Sequence, residues 1–134
     1  MSTIIPQIHI EINPAFFIFS WKDYKRKVPT LISIDLSNKQ LVAIGERVSD
    51  KDVFSIALFA PEENLPPGIE RLDLLQTFLE FNIAKMFEKQ KFLVFRPKII
   101  FHGEQQLNQI FCGYQRSILE IAALAAGAKE VSFD

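Results

Sequence analysis

Residues 99–133 read IIFHGEQQLNQIFCGYQRSILEIAALAAGAKEVSF, and this stretch decides the fold. Ile99-Ile100-Phe101 is a short, wholly apolar run of the kind that fills the centre of a sheet. Leu107, Ile110, Phe111, Tyr114, Ile118, Ile121, Ala122 and Ala125 then recur at helical spacing, and Gly127 is placed to cap the helix. On this reading Tyr114, Ile118 and Ile121 face the sheet as core, and Cys112 is a small buried apolar residue. Lys129 to Phe133 supplies a further short strand. A strand, a helix long enough to cross over and a second strand make a parallel pair.

Working outward, Leu74 to Lys89 carries Leu75, Leu79, Ile83 and Met86 on one face, with Leu74, Phe78 and Phe81 beside them. That is a helix buried over a wide stripe, with Asp73 as its expected N-cap and Gln76 completing a capping box. A proline-rich loop, Pro61 to Gly68, precedes it. Nearer the N-terminus, Ile8, Ile10 and Ile12 alternate with His9 and Glu11, the period of a half-buried strand. Ala15 to Trp21 returns across Asn13-Pro14 as a hairpin, and Lys22 to Lys27 reads as a turn or strand edge. Thr30 to Leu36, Leu41 to Val48 and Val53 to Ala60 complete a meander whose short links leave no room for crossover helices. The expected fold class is α/β with a mixed sheet of about five strands and two main helices, ribonuclease-H-like in its order.

The totals agree with one domain over residues 1–134. Hydrophobic residues make up 49% of the chain and 13 are Phe, enough apolar material to form a core. The net charge of −1, with charges mixed along the chain, argues against nucleic acid as the main ligand. One cysteine excludes an intramolecular disulfide and fits a reducing compartment. The N-terminus lacks the basic and apolar regions of a signal peptide, and the apolar stretch Ile118 to Ala128 is too short to span a bilayer. A cytoplasmic protein is expected.

Several segments, taken together, resemble a known family. Arg96-Pro97-Lys98-Ile99-Ile100, Gln115-Arg116 and Ala122-Ala123-Leu124-Ala125-Ala126-Gly127-Ala128-Lys129-Glu130-Val131 are similar to the patterns R-P-x-V-V, V-E-R-R-A and A-A-x-x-A-G-A-x-x-V of the bacterial actin-like rod-shape proteins, MreB. Val28-Pro29-Thr30-Leu31-Ile32-Ser33-Ile34 and Leu41-Val42-Ala43-Ile44-Gly45-Glu46 resemble that family's E-P-S-V-V-A-I and V-L-A-V-G-E. The matches keep their order over roughly residues 8 to 133, with a few extra residues between Arg96 and Arg116. The resemblance implies an actin/Hsp70-type first domain, about a third to a half of a full family member.

The departures matter for function. Where the family has the phosphate loop D-L-G-T, this chain has Glu11-Ile12-Asn13-Pro14. Proline removes a backbone donor and Asn13 adds bulk where glycine would let the chain approach phosphate. The family's water-orienting glutamate aligns with Gln115, an amide that cannot act as a base. A second phosphate loop and second domain would be expected beyond Asp134. The resemblance therefore implies a degenerate ATPase domain with no cofactor, acting through a protein partner or as a homodimer rather than as a stable monomer. It also implies peripheral membrane contact at Phe92 and Leu93, flanked by Lys89, Lys91, Arg96 and Lys98. The alternative on the same scaffold is a metal-dependent nuclease using Glu11, Glu104 and Asp134. His9 and His102 show no ligand spacing and are not expected to bind metal.

Overall fold

A computed structural model describes residues 5–88 and 96–134. In chain order its strands are β1 (Gln7–Asn13), β2 (Phe16–Trp21), β3 (Tyr24–Pro29), β4 (Leu31–Asp35), β5 (Gln40–Ile44) and β6 (Val53–Ala57). Helix α1 (Arg71–Met86), strand β7 (Lys98–His102), helices α2 (Asn108–Phe111) and α3 (Gln115–Ala125) and strand β8 (Glu130–Phe133) follow. The main sheet has the order β3-β2-β1-β7-β8. β1 is antiparallel to β2, and β2 to β3, whereas β1–β7 and β7–β8 are parallel. Chain connectivity explains the change of sense: tight turns join the first three strands, and helices separate the others.

Alternation in β1 sends Ile8, Ile10 and Ile12 to one side, where they are buried, and His9 and Glu11 to the other. Phe17 and Phe19 of β2 and Ile99 and Phe101 of β7 join the buried side and meet Leu75, Phe78 and Leu79 of α1 and Leu119, Ala122 and Ala123 of α3 in one core. Phe78 sits edge-on to Phe17, with ring centroids 5.6 Å apart at 85°, the arrangement favoured by the aromatic quadrupole. The mixed sheet with covering helices is as expected.

Some elements differ from the sequence reading. Strands β4, β5 and β6 leave the main sheet and form a second, three-stranded antiparallel sheet, in the order β5-β4-β6. The charged stretch after Trp21 holds both features expected of it: Lys22-Asp23 turn the chain, and Tyr24–Pro29 is the edge strand β3. Its exposed Lys25, Arg26 and Lys27 suit a sheet edge, where charge discourages pairing with another chain. Helix α1 begins at Arg71, with Glu70 at the N-cap and no side-chain cap bond. Asp73 lies inside the first turn, because Arg71 anchors this end instead: its guanidinium donates to the carbonyls of Leu58 (3.0 Å) and Ala60. Phe81 is exposed at 41%, so the buried stripe is narrower than expected. The long helix read over 107–125 is broken at Cys112 and Gly113, whose φ angles of 51° and 95° are left-handed. Gly113 tolerates that conformation without a Cβ penalty, and the helix restarts at Gln115.

Candidate functional site

At the end of β1 the chain turns through Asn13-Pro14-Ala15. The Asn13 side-chain oxygen accepts the Ala15 N–H at 2.9 Å, an Asx turn. Thr30, which is buried, donates its hydroxyl to the Pro14 carbonyl at 2.6 Å and its N–H to the Ala15 carbonyl at 3.1 Å. The one N–H that proline leaves in the turn is thus already spent on Asn13. An anion-binding loop needs converging free N–H groups, and this turn presents none. Ile12 is buried and Glu11 is exposed on the opposite sheet face.

Beneath this turn runs the connection from β7. Gly103 has φ 82°, and a Cβ there would lie 3.3 Å from the Ile12 carbonyl, so the strand end and the 3-10 turn Glu104–Leu107 pack closely only through glycine. Glu104 is 6% exposed, and one of its oxygens accepts from Arg116 Nε at 2.7 Å and Nη2 at 2.6 Å. Its other oxygen is buried without a partner among the described residues. Gln115 is 8% exposed, its amide nitrogen is a long 3.5 Å from Asn108 Oδ1, and its oxygen is likewise unpartnered. The ion pair and the neutral amide can each orient groups. They offer no base at Gln115.

The open face of the sheet carries a contact the sequence spacing did not suggest. His9 Nδ1 and His102 Nε2 are 2.8 Å apart, and His102 Nδ1 is 3.2 Å from Asp134 Oδ2. The ring centroids are 5.1 Å apart with planes only 19° from parallel. That separation is the nitrogen–nitrogen distance plus a ring radius on each side, so the imidazoles meet edge to edge rather than face to face. A carboxylate at His102 Nδ1 favours the proton there, leaving Nε2 to accept from His9 Nδ1–H. The three nuclease candidates do not assemble: Glu104 is committed to Arg116 and Asp134 to His102. Among the described residues no three His, Cys, Asp or Glu side chains could hold a metal ion.

Helix α3 presents the largest departure from expectation. Tyr114 and Ile121 are 70% and 53% exposed, Ile118 is half-buried, and the residues that α3 buries are Gln115, Leu119, Ala122 and Ala123. Tyr114 and Ile121 therefore point away from the core, while Ile118 packs against its margin. The break at Cys112-Gly113 resets the helical phase, and the alanines take the close-packed side. Cys112 is exposed rather than buried. With Leu65, Ile69 and Leu72 near the start of α1, these side chains line a groove of about 740 Å³. A helical wheel drawn from Gln115 alone, with alanine counted as core, would have revealed it.

Phe92, Leu93, Lys89 and Lys91 lie outside the described residues. Their two described neighbours are engaged within the fold. Arg96 donates to the Gly127 and Ala128 carbonyls at 3.1 and 3.0 Å, holding the end of α3, and Lys98 pairs with Glu130 at 3.3 Å. Among the described residues no helix is long and apolar enough to cross a membrane.

No family model matches the chain, and no curated protein does. Solved structures do. The chain is similar to MreB5 of Spiroplasma citri bound to ADP, with a TM-score of 0.67 and 15% identity over 97% of this chain and 38% of that one. It is equally similar to the same protein bound to AMPPNP, with a TM-score of 0.67 and 14% identity over 99% of this chain and 39% of that one. The chain thus spans about two-fifths of the length of these structures, and what it shares with them is the actin-like fold.

Proposed function

We propose that this chain is a non-catalytic actin-like domain that works by association: with a cytoskeletal filament, with another copy of itself, or with a membrane-linked assembly of the kind that sets cell shape. The observation that carries the reading is the β1–β2 turn, where Asn13 and Pro14 leave no backbone donor for a phosphate. The amide of Gln115, at the position where the resemblance puts a water-orienting carboxylate, supports it. The exposed apolar groove beside α3 supports association, because contiguous apolar surface commonly marks an interface.

Millimolar ATP with magnesium is expected to leave the melting temperature unchanged. Occupancy at ~100 times a dissociation constant would add about 2.7 kcal/mol, a rise of several degrees. A rise of that size, or ATP retained on the protein side in equilibrium dialysis, would overturn the non-catalytic reading.

A further inference from the structure

The groove beside α3 has a chemistry that narrows its occupant. Its apolar lining includes Leu72, Tyr114 and Ile121, which are 36%, 70% and 53% exposed. Glu62 and Glu70 also line it, and among the described residues neither has an ion-pair partner. Arg71, the one cation in the lining among the described residues, is turned onto the Leu58 and Ala60 carbonyls and lies over the Phe111 ring at 5.5 Å. The surrounding sequence has the same sign. Residues 61–73 and 110–122, which span the lining, contain no lysine; Glu63, Asp73 and Glu120 add carboxylates, and Arg116 is paired with Glu104.

We propose that this groove docks a basic amphipathic helix of another protein, its apolar stripe against Tyr114, Ile121 and Leu72 and its Lys or Arg residues against Glu62 and Glu70. This rests on the association reading above and names the partner's chemistry. A helix laid in an apolar groove is a recurrent recognition mode, and an acidic rim selects basic flanks and speeds their encounter. The exposed Tyr114 ring offers a face to a cation as well. A second copy of the chain fits less well. A two-fold contact would set groove against groove, and therefore carboxylates against carboxylates.

Cys112 is the chain's only cysteine, is exposed and lines the groove, so a thiol-linked environment-sensitive fluorophore reports on it alone. The labelled full chain is titrated with a synthetic amphipathic Leu/Lys helix and with its Leu/Glu counterpart, and calorimetry on unlabelled protein repeats the comparison. The Leu/Lys helix is expected to give a saturable blue shift and to bind at least about tenfold more tightly, a difference of ~1.4 kcal/mol. Glu62→Lys/Glu70→Lys should reverse the preference, and Ile121→Ser should weaken both peptides without lowering the melting temperature. Equal affinity for the two peptides, or a preference that survives the charge reversal, overturns the proposal. Those outcomes would not bear on the ATP measurements, so the two readings fail separately.

Discussion

Helices α1 and α3 share one core on the same side of the main sheet, yet they bury different material. α1 buries Leu74, Leu75, Phe78, Leu79, Ile83 and Met86, together with Asn82, whose amide is spent on the Phe78 carbonyl at 2.8 Å. α3 buries Leu119, Ala122, Ala123 and Gln115, and leaves Ile121 and Leu124 outside. Small side chains let a helix backbone approach its neighbours closely, and α3 packs against both α1 and β8. The two helices therefore divide the work: α1 fills volume, and α3 fits close with Leu119 and its alanines inward and Ile121 and Leu124 outward. Apolar side chains on a helix do not by themselves identify its buried side.

The most severe test of this contrast is a matched pair of truncations. Phe78→Ala should cost ~3–5 kcal/mol, as expected for removing a fully buried ring that leaves a cavity. Ile121→Ala should stay within about 0.5 kcal/mol, because that side chain is more than half exposed. Urea denaturation measures both, and similar losses for the two would mean that α3 has been assigned the wrong face.

A smaller effect comes from the opposite change. Ala122→Leu adds volume where α3 is fully buried and should lower stability by ~1–3 kcal/mol. The same exchange at Ala125, which is exposed on that helix, should leave the melting temperature nearly unchanged. If Ala122→Leu is tolerated as easily, the approach of α3 is looser than its alanines imply.

The least effect belongs to the turn that follows β4, in the second sheet. Asp35, at the end of β4, accepts from the Ser37 hydroxyl at 2.6 Å and from its N–H at 2.9 Å. The hydroxyl bond first, then the backbone bond, holds the carboxyl below its ordinary 3.8. A carboxyl lowered by folding contributes stability that is present above its unfolded value and lost as pH falls through the folded one. Carbon-detected NMR titration should show Asp35 ionising below the ordinary carboxylate range, with Ser37→Ala moving it back up. Ala122→Leu should leave that titration in place, which separates local turn chemistry from helix packing.

The parts of the fold legible in the sequence are those where pattern and chemistry agree. The alternation of Ile8, Ile10 and Ile12 and the crossover from Ile99 to Phe133 identify β1, β7 and β8, because the apolar pattern and the burial coincide there. The β3 edge is legible only as a choice between turn and strand edge, since an edge strand is stabilised by pairing on one side and needs little apolar content. Cys112-Gly113 was overlooked because a continuous apolar spacing runs through the break, and the glycine was the only local warning. The candidate site was legible in part. Asn13-Pro14 marks a turn short of a backbone donor, but nothing in the spacing of His9, His102 and Asp134 indicates that the strand register would align them.

That alignment turns three adjacent parallel strands into a self-checking ruler. β1, β7 and β8 are pinned side to side through His9, His102 and Asp134, in addition to their backbone ladders. A slip of one residue between β1 and β7 would send His102 to the helix side and Phe101 into water, and would part both side-chain links at once. A compact state with the same helices but a misaligned sheet would look alike by far-ultraviolet circular dichroism, yet it would lose the imidazole N–H signal of the histidine pair. The sheet thus carries its own spectroscopic certificate of correct folding, legible one proton at a time.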